Sequence, residues 1–150
     1  MKNNNITPLE IVSALHKASR QMSIYLGACM EGFPVKPNEG HLLSYLSIYG
    51  PCAVNELIGV FGYKNTTMTS ILGRLVDGGY IKREVNPDDR RSFLISTSAK
   101  GTKMGQRARL FAEDFDKAVL ARLTKNDMAG FKKILKAIAE ETKVEVRKIK

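Results

Sequence analysis

The sequence predicts a mainly α-helical chain of class α+β, with a single small β-hairpin, and three observations carry that expectation. Two short amphipathic segments, residues 54–62 and 65–77, are separated by a tight turn at Gly62-Tyr63-Lys64. Two β-prone runs, residues 80–85 and 92–97, flank the turn-forming stretch Asn86-Pro87-Asp88-Asp89-Arg90-Arg91, which gives a hairpin with cations on its tip. Long stretches with apolar residues at three- and four-residue steps lie at both ends of the chain. A helix pair, a tight turn and a cationic hairpin make a winged helix-turn-helix, to which the terminal stretches add a helical dimerisation region.

Each element has a local reason. Thr7-Pro8-Leu9-Glu10 offers a capping hydroxyl, a proline at the first helical position and a carboxylate three residues on, which predicts a capping box. Ile11, Leu15, Ala18, Met22, Tyr25 and Cys29 then share one helical face, which ends near Gly32-Phe33-Pro34. Pro37-Asn38-Glu39 restarts a helix with Leu42, Leu43, Leu46 and Tyr49 inward, and Gly50-Pro51 stops it. In the second helix of the pair, Met68, Ile71, Leu72 and Leu75 take core spacing before Gly78-Gly79. Ser98 caps a long helix with Met104, Ala108, Phe111, Phe115 and Ala118 close to a heptad seam. Thr124-Lys125-Asn126-Asp127 opens a last helix that presents Phe131, Leu135 and Ile138 on one face.

The terminal helices carry more apolar stripe than a winged helix needs to close its own core. A homodimer is therefore expected, with residues 6–34 and 98–150 as dimerisation helices and residues 37–97 as the DNA-binding lobe of a single domain spanning residues 1–150. Such a two-fold protein would match two half-sites on DNA.

Composition narrows the function. The 150 residues are 43% hydrophobic and 26% charged, and no apolar run approaches the ~20 residues that a membrane span requires. The polar start Met1-Lys2-Asn3-Asn4-Asn5 has no signal-peptide pattern, so a cytoplasmic location is expected. Cys29 and Cys52 form no C-x-x-C pair, and buried free thiols are the simpler reading. With two histidines and no H-x-x-x-H pair, no metal site or cofactor is expected. No G-x-S-x-G, H-E-x-x-H or Gly-rich phosphate loop appears, which argues against an enzyme.

The net charge of +9 is unevenly spread: residues 1–63 are neutral, whereas residues 64–109 hold ten bases against four acids. The surplus thus falls on the predicted helix and wing, where phosphates would attract it. At the N-terminal end of the second motif helix stand Asn65, Thr66, Thr67, Thr69 and Ser70, with Lys64 at the helix mouth. Hydroxyls bond phosphates or bases, threonine methyls can touch thymine, and an amide suits adenine. The competing role for a Thr-rich helix start is simple capping. Arg74, farther along, could reach the DNA backbone or pair with Asp89 at the root of the wing. Arg90 and Arg91 would reach a minor groove, where narrow A·T-rich segments draw arginine. Asp88 and Asp89 fit such a loop if one of them shapes the turn.

From Gly50 to Gly101 the chain resembles the MarR (multiple-antibiotic-resistance regulator) family of winged-helix transcription factors. The resemblance rests on Gly50-Pro51, on Val54-Asn55-Glu56-Leu57, on the 86–91 turn and on Ser98-Ala99-Lys100-Gly101. The family's wing pattern, Asp-x-Arg and then five residues to Leu-Thr-x-x-Gly, falls on Asp89, Arg91 and Gly101, with Thr97 and Ser98 in place of Leu and Thr. Leu123-Thr124 and the stripe beyond also look like the family's final helix. The resemblance implies a homodimer on an inverted-repeat operator, usually a repressor released by a small phenolic ligand or by cysteine oxidation. Members often carry Ser and Arg at the positions of Lys64 and Asn65, and Arg near Ser70, so this chain's operator preference is its own.

The family's ligand pocket would fall on Met22, Tyr25, Phe33, His41, Tyr45 and Tyr49, a mostly apolar set with polar tips suited to a small aromatic or phenolic effector. Two alternatives stay open: a redox sensor acting through Cys29, and a winged-helix interaction module that does not bind DNA.

Overall fold

The computed structural model describes residue 7 and residues 9–144. Six helices and three strands follow in the order α1 (Glu10–Cys29), α2 (Pro37–Tyr49), β1 (Cys52–Ala53), α3 (Val54–Phe61), α4 (Asn65–Asp77), β2 (Ile81–Val85), β3 (Phe93–Thr97), α5 (Ala99–Leu120) and α6 (Lys125–Thr142). The chain is mainly helical with a β-hairpin wing, as its sequence predicts. By its contacts it divides into two compact units, one up to Pro37 and one from Asn38 onward.

In the N-terminal unit, α1 starts at Glu10 with Leu9 at the N-cap and no side-chain cap, so the expected capping box at Thr7 does not form; Pro8 lies outside the described residues. The Leu9 carbonyl accepts the Ser13 amide, and Glu10 puts a carboxylate in the first turn, where the helix dipole favours it. No residue of α1 is buried, and the stripe residues Ile11, Leu15, Met22 and Tyr25 are all exposed in the single subunit. Met30 and Val35, just beyond the helix, are buried.

The second unit has the core that the spacing predicts. Leu42 and Leu43 of α2, Leu57 of α3, Met68, Ile71 and Leu75 of α4, Cys52 of β1 and Ile95 of β3 are all but inaccessible to solvent. Helix α3 ends where Gly62 takes up a left-handed conformation (φ 65°) and donates its amide to the Ile58 carbonyl. A side chain would strain that position, and the turn that leads into α4 depends on it. After α4, the amide of Tyr80 returns to the Leu75 carbonyl, which aims the chain into β2.

The sheet is antiparallel in the order β1-β3-β2. Strand β1 is absent from the sequence-based expectation. Its two residues, Cys52 and Ala53, pair with Ile95 and Leu94, while Arg83 and Glu84 of β2 pair with the same two residues from the other side. Ile95 is therefore the buried centre of the sheet.

At the start of α5, Ser98 Oγ accepts the Gly101 amide and also donates to the Gly79 carbonyl, tying the helix to the end of α4. Along α5, Met104 and Ala108 are buried, Phe111 and Phe115 are partly covered, and Leu110, Val119 and Leu120 are exposed. Helix α6 opens with a true capping box: Thr124 Oγ1 accepts the Asp127 amide, and the Asp127 carboxylate accepts the Thr124 amide. The Thr124 amide and hydroxyl, both donating to the Asp127 carboxylate, hold that carboxyl below the usual aspartate range. No residue of α6 is buried, and Phe131, Ile134 and Leu135 are exposed.

Candidate nucleic-acid interface

Helix α4 separates its two kinds of residue by side. Met68, Ile71, Leu72 and Leu75 are buried, whereas Asn65, Thr66, Thr67, Thr69 and Ser70 are all exposed. The period of the apolar residues fixes which side faces the core, so the polar residues between them must face out. Lys64 is the N-cap residue and is exposed; its carbonyl accepts the Met68 amide, and no side chain caps the helix. Capping therefore uses none of the hydroxyls. Among the described residues, the side chains of Asn65, Thr66, Thr67 and Thr69 have no hydrogen-bond partner, which leaves their donors and acceptors to solvent or a ligand.

Arg74 is placed differently from its sequence-based expectation. It makes no pair with Asp89. Its Nε donates to Oε1 of Glu39 on α2 at 2.6 Å, and its Nη1 donates to Ser70 Oγ at 2.7 Å. The Glu39 side chain is only 6% exposed while that of Arg74 is 45% exposed. Asn38, Thr66, Thr67, Ser70, Ile71 and Arg74 line an open depression between the starts of α2 and α4. Four predicted residues thus meet around one hollow, together with Asn38, which the sequence had not marked. Glu39 was not marked for DNA binding, only weighed beside Cys29 and His41 as a metal ligand: a carboxylate in the first turn of a helix reads as dipole complement, and nothing local shows that it pairs with an arginine 35 residues on.

The wing tip is organised by its own side chains. Asn86 Oδ1 accepts the Asp88 amide, Asp89 Oδ1 accepts the Arg91 amide, and the Asp89 carbonyl accepts both the amide and the hydroxyl of Ser92. Asp89 therefore shapes the turn through the backbone, and Arg90 and Arg91 remain exposed. Lower on the hairpin, the Arg83 guanidinium lies 3.8 Å from the centre of the Phe93 ring, which holds another cation on the outer strand.

A third group lies around α2. Tyr45 contacts Tyr49 (ring centroids 4.7 Å apart) and Phe61 (5.5 Å), while His41 meets Phe61 edge-on at 5.0 Å and Tyr63 stacks on Phe61 at 5.8 Å. Phe61 and Tyr63 extend the predicted set. His41 is exposed overall, and partial desolvation of its ring, which meets Phe61 edge-on, holds its pKa below the ordinary 6.5. Met22, Tyr25 and Phe33 belong to the N-terminal unit, the first two exposed and Phe33 partly covered. Cys29 and Cys52 are free thiols, and Cys52 is buried with its Sγ against the Tyr49 carbonyl. Among the described residues, no helix is long and apolar enough to cross a membrane.

A sequence model of the MarR family matches residues 33–92, which contain α2, the helix-turn-helix and the wing turn. Over those residues the chain is similar to the MarR family. Among curated proteins, the chain is similar to the HTH-type transcriptional regulator BilQ of Clostridioides difficile (strain CD3). The two are 24% identical over 85 residues, 57% of this chain and 57% of that protein. An HTH-type transcriptional repressor of Mycobacterium tuberculosis (strain H37Rv) is 30% identical over 74 residues, 49% of this chain and 53% of its own length. The chain thus spans little more than half the length of the curated relatives it matches.

Solved structures extend the likeness of fold across most of the chain. Staphylococcus aureus MepR, determined as a DNA complex, superposes with a TM-score of 0.82 at 18% identity, covering 90% of this chain and 99% of that one. Wild-type apo MarR from Escherichia coli gives 0.70 at 20% identity, covering 88% and 98%.

Proposed function

We propose that this chain is a cytoplasmic, sequence-specific regulator of transcription of the MarR family. It binds double-stranded DNA as a homodimer on an inverted repeat and represses until a small aromatic or phenolic ligand releases it. The observation that carries the reading is the outward face of α4, where an amide and four hydroxyls stand exposed and unused by capping. A helix start of that kind suits the major groove. Lys64, Arg74, Arg90 and Arg91 supply the cations, and Asp89 shapes the turn that carries the last two.

The S. aureus MepR match is a DNA complex, and an E. coli MarR mutant with operator DNA gives a TM-score of 0.73 at 20% identity, covering 83% of this chain and 90% of that one. The exposed apolar residues of α1 and of α5 and α6 support residues 6–34 and 98–150 as the pairing surfaces of a dimer, leaving 37–97 as the DNA-binding lobe. The rings of His41, Tyr45 and Tyr49, joined by Phe61 and Tyr63, support the effector site.

Selection of bound fragments from random duplex DNA, followed by fluorescence anisotropy across salt concentrations, tests the proposal. Binding that weakens steeply with salt is expected, because each neutralised phosphate contributes about 0.9 to the logarithmic slope. A monomer in sedimentation, or indifference to every duplex at low salt, would refute it and favour the interaction module.

A further inference from the structure

We propose that Glu39 is a positioning residue for DNA binding: from α2 it orients the Arg74 guanidinium so that the free edge seats one backbone phosphate in the hollow between α2 and α4. The inference rests on the DNA-binding reading above and adds to it a subsite and the residue that organises it.

The geometry is specific. A guanidinium is planar and carries five N–H donors in a fixed fork. In Arg74, Nε is engaged by Glu39 Oε1 at 2.6 Å and Nη1 by Ser70 Oγ at 2.7 Å, so two points fix the plane. Nη2 has no partner among the described residues, and the side chain is 45% exposed. Its surroundings are the side chains of Asn38, Thr66, Thr67 and Ser70, short polar groups that can donate to an anion's oxygens.

The carboxylate is the informative part. A buried negative charge close to a polyanion should weaken association if it acts only through its charge. Here Glu39 is 6% exposed and its Oε1 lies 2.6 Å from Arg74 Nε, so part of its field is met by Arg74 itself. Its geometric effect then prevails: it removes the rotamer freedom of a long side chain before DNA arrives, a cost that binding would otherwise carry. Lysine could not replace the arginine, since one ammonium cannot hold Glu39 and Ser70 in a plane while facing a third partner.

The two accounts predict opposite signs. Anisotropy with a fluorescein-labelled, mixed-sequence duplex, from about 50 to 200 mM salt, reads out affinity and slope together. Thermal melting checks that each variant is folded. Arg74→Gln is expected to weaken binding and to lower the slope by about 0.9 per subunit. Glu39→Met, which keeps length but loses the acceptor, should weaken binding by about threefold or more although it removes a negative charge. Glu39→Gln, which restores an acceptor, should lie nearer the wild type, and Glu39→Met combined with Arg74→Gln should be no weaker than Arg74→Gln alone. A Glu39→Met protein that binds as tightly as the wild type or tighter, with an unchanged slope, would overturn the inference. Should that variant not fold, Arg74→Lys decides: weakened binding supports the clamp and wild-type affinity overturns it. Failure of the wild type to bind any duplex would remove the proposed function itself, whereas wild-type binding with indifferent variants would remove only this inference.

Discussion

Gly101→Ala offers a test of how the wing is joined to the body of the protein. A methyl group at this position would land on the backbone of Tyr80, 2.8 Å from its carbonyl carbon and closer still to the carbonyl oxygen, where ordinary contacts begin near 3.4 Å. The carbon would have to retreat by about 0.6 Å and the oxygen by more. Both atoms belong to the residue that leads into β2, and its carbonyl also accepts the Ser98 amide. Overpacking of this kind costs about 1–3 kcal/mol. Replacing glycine within a helix returns up to about 1 kcal/mol, so a net loss is expected.

Gly73→Ala in α4 is the matched control, because nothing lies within 4 Å of the added carbon. That change should stabilise by about 0.5–1 kcal/mol. In urea titrations at one fixed protein concentration, a slope near 2 kcal/mol per molar turns these figures into a midpoint up to about 1 M lower for Gly101→Ala and about 0.3–0.5 M higher for Gly73→Ala. A Gly101→Ala midpoint at or above that of the wild type would refute the close approach of α5 to β2. A loss of stability in Gly73→Ala would show that the rest of the reasoning about helical glycines is wrong.

Three further outcomes are expected. Arg91→Ala should lower duplex affinity and reduce the salt slope by about 0.9 per subunit if its contact is to phosphate; unchanged values in anisotropy would take the wing out of the interface. Asn65→Ala or Thr67→Ala should alter the preferred sequence recovered by selection more than the salt slope, and a uniform loss over all sequences would show that neither reads bases. The folded pKa of His41 lies below the 6.5 of an ordinary histidine, so the unfolded chain takes up the proton first. Its stabilising contribution is present above pH 6.5 and is lost as pH falls below it. His41→Leu should therefore flatten the decline in urea midpoint between neutral and acidic pH, and a decline as steep as that of the wild type would exclude this histidine.

Elements whose signal is local were legible in the sequence. The α4 boundaries follow from the spacing of Met68, Ile71, Leu72 and Leu75 with glycines beyond, and the capped starts at Ser98 and Thr124 follow from hydroxyls three residues ahead of the amides they accept. What the sequence concealed depends on distant partners. Strand β1 has only two residues, too few to show alternation, and exists because Leu94 and Ile95 offer it an edge. The Glu39 to Arg74 pair joins two helices, and the expectation that tied Arg74 to Asp89 chose the nearer acid in sequence over the nearer one in space. At the start of α1, Thr7 and Glu10 have the right types and spacing for a capping box, yet the helix begins at Glu10. Capping sequences are permissive, and only the backbone path decides whether they are used.

The position of β2 bears on how such a protein stays dispersed. With the order β1-β3-β2, this strand forms an outer border of the sheet, and its far side has no neighbouring strand among the described residues. An uncovered border invites lateral pairing with other copies. Here only Ile81 is buried, and Lys82, Arg83 and Glu84 place three consecutive charges, two cations and an anion, along the border, so strand-to-strand stacking would force ions together without solvent. The hairpin can project freely from the body of the protein without becoming a seed for aggregation.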